Sequence, residues 1–279
     1  MTSAHIIDYH VHESHSRDAA GATIQSLINA AETKEVKEVA ITSHLILEGK
    51  DMHLGVQFDE LDSYFKEIEE AQRDTEVRLR AGLEVDYFPS KELQIEAIIE
   101  EHPLDYVLGS THYINGLDIG SRIEARGFFA SRSLEEAADE YFSVWKEAIE
   151  SGLFDVMAHP DYWRKFLHLA RAEPATWNEY GVVVAEAIDS LVCYGVGVEV
   201  NTSATRHRLA EFYPVKEFLE AVHKAGVRRM TVGSDAHSPE VLGYMIPDAV
   251  RLLMELGFKH ISTFKGRIDS ALSLNSILV

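Results

Sequence analysis

His10 and His12 are separated by one residue at the end of an apolar run, in Asp8-Tyr9-His10-Val11-His12. In an extended strand, residues two apart share a face, so both imidazoles project side by side. Two imidazoles on one strand edge offer a bidentate seat for a transition metal. One such pair arises by chance, and a solitary histidine is ordinarily a structural or surface residue. Repetition gives this pair its weight. Later apolar runs end in groups of the same kind: His44, then Glu84 and Asp86, His112, His159 and Asp161, Glu199 and Asn201, and finally Asp235 and His237. Taken singly, a carboxylate in such a place is most often a helix cap or a solvated loop end. Six histidines with two or three carboxylates at the ends of seven runs exceed what folding asks for. A polynuclear metal site accounts for them together.

Residues so far apart in sequence meet only if regular elements bring their ends together. Strands are predicted over Ile6–His12, Val36–His44, Val77–Tyr87, Tyr106–His112, Asp155–His159, Gly197–Asn201, Arg229–Asp235 and His260–Phe264. Helices are predicted over Thr23–Thr33, Glu60–Arg73, Lys91–Glu101, Leu134–Ser151, Pro174–Tyr194, Val215–Lys224 and Pro247–Leu256. Their apolar residues recur every three or four positions, as in Phe218, Leu219, Val222 and Ala225. Alternating β and α units imply a parallel sheet covered by helices, and seven or eight of them imply closure into a TIM-like α/β barrel. In such a barrel the C-terminal strand ends open on one face, where active sites sit. A chain of 279 residues has room for this barrel or for two ordinary domains. There is no internal repeat, low-complexity stretch or Pro/Gly/Ser-rich linker, so one domain over residues 1–279 is the simplest reading.

The formal charge of -20 repels nucleic acid and anionic membranes, so neither is an expected partner. A small anionic substrate remains compatible with it, because bound cations and nearby arginines set the potential inside a pocket. The single cysteine, Cys193, leaves no intrachain disulfide and suits a reducing compartment, so a cytoplasmic location is expected. Cys193 stands at the end of an apolar helix and reads as a buried structural thiol. No run reaches membrane-spanning length, and Met1–His5 has neither the basic nor the apolar segment of a signal peptide.

Taken in order, several motifs resemble the PHP (polymerase and histidinol phosphatase) family over almost the whole chain. They are His10-Val11-His12, Ser16-Arg17-Asp18, Thr42-Ser43-His44, Gly82-Leu83-Glu84-Val85-Asp86-Tyr87, Gly109-Ser110-Thr111-His112, Ala158-His159-Pro160-Asp161 and Gly233-Ser234-Asp235-Ala236-His237. Two stretches are most similar to its monofunctional histidinol-phosphatases: residues 109–116, and Glu199-Val200-Asn201-Thr202-Ser203 followed by Arg206 and Tyr213-Pro214. The resemblance implies a distorted (β/α)7 barrel carrying up to three divalent ions, Zn, Mn or Fe. It places His10, His12, Glu84 and Asp235 on one ion, and bridging Glu84 with His112 and His159 on a second. Asp18, His44 and His237 would hold the third, with His15 the alternative to Asp18. The chain departs from the family at Ser43, where an acidic residue often precedes the histidine, and at Ala204-Thr205, where Gly-Leu is common before the arginine.

Bridged divalent ions lower the pKa of a shared water, which supplies a hydroxide near neutral pH to attack phosphorus. Cationic side chains then neutralise the nonbridging oxygens. Arg164 and Arg206 are the expected phosphate ligands, since the planar guanidinium fork suits that group; Lys165 reads as a solvated loop charge. The catalytic set is Glu84, Asp235 and His237, with Asp161 and His207 as further candidates for the proton that the leaving oxygen requires. Asp161 could instead brace a ligand imidazole. Glu199, Asn201 and Asn115 are candidates for recognising the rest of the substrate. The expected reaction is metal-dependent hydrolysis of a small phosphate monoester, L-histidinol phosphate to L-histidinol and phosphate. The alternatives are another small phosphate ester, such as a nucleotide or sugar phosphate, an amidohydrolase-type hydrolase, or a metal-binding barrel without catalysis. No strand end offers the bridging lysine that amidohydrolase sites often carry, and a mere binding barrel has no need of the arginines.

Overall fold

The structure, a computed structural model, describes residues 5–278 apart from residues 172 and 174. The chain runs β1 (Ile6–Val11), α1 (Ile24–Thr33), β2 (Val36–Leu45), α2 (Leu61–Gln72), β3 (Arg78–Asp86), α3 (Glu92–Glu101) and β4 (Tyr106–Ser110). A small hairpin, β5 (Tyr113–Ile114) and β6 (Leu117–Asp118), is followed by α4 (Arg122–Ala130), α5 (Leu134–Glu150), β7 (Val156–Met157), α6 (Trp177–Tyr194) and β8 (Gly197–Asn201). Then come α7 (Lys216–Ala225), β9 (Met230–Gly233), α8 (Ile246–Glu255), β10 (His260–Lys265) and β11 (Ile268–Ser273).

Seven strands form one parallel sheet in the order β1-β2-β3-β4-β7-β8-β9. The sheet nearly closes on itself, because a parallel bridge joins Val11 to Ala236 just beyond β9. At that seam the His12 amide donates to the Ala236 carbonyl at 2.8 Å. Asp8, wholly buried, fastens it from beneath by accepting from the Ser234 and Gly243 amides, both at 2.8 Å. This is the distorted seven-stranded barrel that the alternating pattern implies. Its helices form for local reasons as well as for packing. In α1, Ile24, Leu27, Ile28 and Ala31 make the buried stripe, and the Thr23 hydroxyl caps the first turn through the Ser26 amide. Reciprocal Ser133–Glu136 and Thr176–Glu179 capping boxes start α5 and α6.

Three elements differ from expectation. The eighth predicted strand, His260–Phe264, does not join the barrel; β10 pairs antiparallel with β11 instead. Gly266 and Arg267 both have positive φ at the turn, the geometry of a tight two-residue hairpin. This hairpin covers the end of the barrel opposite the ligand-bearing one, where the Phe264 and Gly266 amides donate to Tyr9 Oη and Asp105, and Arg267 pairs with Asp155. Helix α4 was not foreseen. Cys193 is exposed, whereas a buried thiol was expected. The buried stripe of α6 runs through Val184, Ala187, Ile188 and Leu191, and Cys193 lies two residues beyond it on the opposite side. Pro174, the predicted start of that helix, lies outside the described residues. Among the described residues, no helix is long and apolar enough to cross a membrane.

Candidate metal centre

Strand register assembles the site. Residues of β2 and β3 pair from Glu38↔Arg78 to Leu45↔Val85, which sets His44 directly beside Glu84. Irregular pairing of β1 between Asp8 and Val11 breaks the strict alternation of that strand at His10. At the C-terminal strand ends lies a cavity of about 450 Å³, whose wall includes Asp18, His44, Glu84, His112, His159, Asp235 and His237. His10 and His12, both fully buried against Glu84 and Asp235, form the floor of the cluster.

Glu84 stands at the centre of this group. Its Oε2 is 3.1 Å from His10 Nε2, 3.5 Å from His12 Nε2 and 2.9 Å from His44 Nδ1. Its Oε1 is 2.8 Å from His159 Nε2 and 3.7 Å from His112 Nε2. Asp235 Oδ1 is 3.5 Å from His12 Nε2 and 3.4 Å from His237 Nδ1. On the rim, Asp18 Oδ2 is 3.2 Å from His237 Nε2 and 3.6 Å from His44 Nε2. Four overlapping triads have donor atoms close enough together to hold a metal ion: His10/His12/Asp235, His10/Glu84/His159, His44/Glu84/His112 and His12/His44/His237.

The donor set fits divalent cations better than it fits itself. Glu84 Oε2 and His44 Nδ1 are buried and 2.9 Å apart, yet neither makes a hydrogen bond. Their lone pairs point at a shared space rather than along a bond. His10 and His12 bring two Nε2 atoms within 3.1 Å of each other. Burial opposes charge on Glu84 and Asp235, but the surrounding histidines hold both carboxyls well below their usual range. Burial, with His237 and His44 nearby, keeps His12 neutral. Burial also works against a charged His10, yet Glu199, Glu84 and Asp235 outweigh it and draw a proton onto the ring. A bound cation would take the place of that proton.

A second layer fixes the ligands. Glu199, buried beside the metal-facing histidines, approaches His10 Nδ1 at 2.8 Å and accepts from the His159 amide at 2.9 Å. Asp86 lies 3.0 Å from His112 Nδ1, and the Ser16 hydroxyl lies 3.3 Å from His12 Nδ1. Such contacts select the tautomer that turns the other nitrogen toward a metal. Two ligand positions, His159 and Asp235, have positive φ (26° and 55°), a strained backbone of the kind concentrated at functional sites.

Several sequence-based expectations need correction. Arg164 does not reach the cavity. It is buried, its Nε pairs with Asp161 at 2.7 Å, and its Nη2 donates to the Phe212 carbonyl. Asp161 therefore binds Arg164 and the Val215 amide rather than a ligand imidazole. Lys165 lines the cavity instead of facing solvent. Glu199 and Asn201 brace the floor, bonded to each other at 3.1 Å, and Asn115, itself exposed, bonds to Glu140. His15 turns away to Glu13, at 3.0 Å from Nδ1, leaving Asp18 beside His44 and His237. Arg206 does border the cavity, though Nη1 and Nη2 each donate to a backbone carbonyl, of Ser234 and Asp235, at 2.7 Å. Burial and the Lys165 ammonium push His207, also on the wall, down to about 4. The far wall carries Asp51, Asp118 and Tyr113, which strand-end spacing gave no reason to single out.

The PHP domain model matches residues 8–203. The chain belongs to the PHP domain family. A probable histidinol-phosphatase of Deinococcus radiodurans is 29% identical over 265 residues, covering 94% of this chain and 97% of the relative. A histidinol-phosphatase of Lactococcus lactis is 25% identical over 275 residues, covering 94% and 96%. Among solved structures, histidinol phosphate phosphatase from Lactococcus lactis, complexed with zinc, L-histidinol and phosphate, superimposes with a TM-score of 0.80 at 22% identity, covering 95% of this PHP chain and 98% of that one. A putative histidinol phosphatase from Listeria monocytogenes gives a TM-score of 0.68 at 17% identity, covering 85% and 97%.

Proposed function

We propose that this PHP-family protein is a divalent-metal-dependent phosphomonoesterase that hydrolyses L-histidinol phosphate to L-histidinol and phosphate, with residues 1–279 acting as one domain. The observation that carries the chemistry is the convergence of six histidines and three carboxylates, drawn from six strand ends and the loop after β1, on one cluster at the barrel mouth. The substrate assignment rests on the curated relatives, which match this chain nearly end to end. The exposed thiol of Cys193 suits the reducing cytoplasm.

His10, His12, Glu84 and Asp235 would hold one ion, Glu84 with His112 and His159 a second, and Asp18, His44 and His237 a third; Zn, Mn and Fe all suit this mixed donor set. When bound, such ions act as Lewis acids that ionise water and neutralise phosphate charge. The chain's own residues set the geometry. Glu199 holds the His10 ring so that Nε2 faces Glu84, and Asp86 does the same for His112. Arg206 fixes the carbonyls flanking the strained Asp235 backbone. Glu84, Asp235 and His237, the proposed catalytic set, would act as ligands of the ions; Asp235 and His237 lie 3.4 Å apart on the cavity wall.

The test is phosphate release by chelator-stripped protein reconstituted with Mn, Zn or Fe, measured on L-histidinol phosphate and on a panel of nucleotide and sugar monophosphates. The expected result is activity only with metal, and a clear preference for L-histidinol phosphate. Equal or faster turnover of the unrelated esters would reject the substrate.

A further inference from the structure

Glu13 is a carboxylate for which the metal chemistry has no use. It directly follows the His12 ligand position and is wholly buried, yet it belongs to none of the four donor triads. Among the described residues no lysine or arginine pairs with it. A carboxylate so buried is unfavourable unless hydrogen bonds replace its water. Four donors do so here. Oε1 accepts from the Ser43 hydroxyl and the His15 amide, both at 3.0 Å, and lies 3.0 Å from His15 Nδ1, while Oε2 accepts from the Ser14 hydroxyl at 3.1 Å.

These bonds hold the loop after β1, which carries Asp18. The other eight proposed ligands stand at strand ends, where sheet register aims them. Asp18 has no strand behind it and its side chain is 37% exposed, so the loop must do the aiming. Glu13 and Ser43 form a reciprocal clasp across it: the Glu13 amide donates to Ser43 Oγ at 3.3 Å, and the Ser43 hydroxyl returns a bond to Oε1. Three residues on, Ser16 Oγ accepts from the His44 amide at 2.9 Å, and the Ser16 amide closes the turn on the Glu13 carbonyl. The loop is thus stitched to β2 at Ser43 and at His44, and Asp18 arrives 3.6 Å from His44 Nε2 and 3.2 Å from His237 Nε2. Ser43 is also where the sequence lacks the acid that often precedes this histidine; the carboxylate here comes from the neighbouring loop. Sequence alone left His15 and Asp18 as rivals for the outer site. Glu13 takes both the amide and the ring of His15, whose imidazole packs edge-on against Tyr64 at 5.4 Å.

On the reading of this cluster as a metal centre, we infer that Glu13 is the positioning residue of the outermost cation site. By clasping Ser43 and holding His15 aside, it presents Asp18 to the ion shared with His44 and His237.

The experiment titrates stripped protein with Mn or Zn against a chromophoric chelator, with bound metal counted by elemental analysis and folding followed by circular dichroism. Glu13→Ala should weaken the last equivalent roughly ten- to hundredfold and leave the other two at wild-type affinity. Ser43→Ala, the milder cut, should weaken that same equivalent about three- to tenfold, the scale of one hydrogen bond, and it carries the test if Glu13→Ala does not fold. Glu13→Gln should recover most of the loss, because its amide oxygen can still accept from Ser43 and from the His15 amide. Three equivalents at wild-type affinity in the folded Ala variants, or a loss shared evenly by all three, would overturn the role while leaving the phosphatase reading intact. A wild type that binds no metal and releases no phosphate would remove both.

Discussion

Replacing Glu199 with Gln isolates what the second layer contributes to metal binding. Gln has the same shape, so the barrel should fold, but one carboxylate serves two neighbours of different kinds. Oε1 faces His10 Nδ1 at 2.8 Å, and Oε2 accepts from the His159 amide at 2.9 Å and from Asn201 Nδ2 at 3.1 Å. An amide has one oxygen and one NH₂. With its oxygen toward His10, the NH₂ confronts the His159 N–H and the Asn201 NH₂. In the other orientation it donates to His10 Nδ1, which forces the proton onto Nε2 and blocks the nitrogen that faces Glu84. Either way the buried site loses a bond and the charge that makes His10 a strong base. Loss of such a partner typically costs ten- to a hundredfold in metal affinity, or about 1.4–2.7 kcal/mol. Titrating stripped protein with Mn or Zn against a chromophoric chelator measures it. An affinity within twofold of wild type, with folding confirmed by circular dichroism, would refute the role given to Glu199.

Four other outcomes are expected. Chelation should abolish phosphate release, and Mn, Fe or Zn should restore it; full activity after verified metal removal would exclude the mechanism. Arg206→Ala should lower metal affinity roughly tenfold as well as activity, because the Ser234 and Asp235 carbonyls lose their donors. Metal content at the wild-type level with weakened ester binding would instead return Arg206 to a purely phosphate-binding role. Arg164→Ala leaves Asp161 buried and unpaired, so urea unfolding should show a loss of about 3–5 kcal/mol, and a loss below about 1 kcal/mol would contradict the buried pair. Gly233→Ala would set a methyl onto Glu199 Oε1 and His10 Cβ, so stability should fall by about 1–3 kcal/mol and metal affinity with it; a variant with wild-type melting and metal content would show that the floor yields freely.

The barrel and the gathering of imidazoles and carboxylates at its mouth were legible because they depend on periodicity. Each parallel strand delivers its last residues to the same face, so His44, Glu84, His112 and Asp235 could be grouped without coordinates. What strand-end spacing does not encode is direction within a turn. Arg164 and Lys165 are adjacent in a 3₁₀ turn, where successive side chains diverge by about 120°, so one enters the core and the other the cavity. Proximity to His159 could not separate them. His260–Phe264 has the composition of a barrel strand, and only the Lys265-Gly266-Arg267 turn, with no helix after it, marks it as half of a hairpin. Glu199 carried a signal that was read for the wrong partner. It is a carboxylate on β8 like the others, but it points beneath the histidines rather than across the cavity.

The decisive measurement is an anomalous difference map from crystals of the protein loaded with Mn or Zn. Two or three peaks should stand at the barrel mouth, within about 2.0–2.2 Å of histidine nitrogens and carboxylate oxygens. Glu84 should be shared between two of them and Asp18 should contact the outermost. A mouth without peaks, or metal held only by surface histidines such as His53, would contradict the phosphatase centre described here.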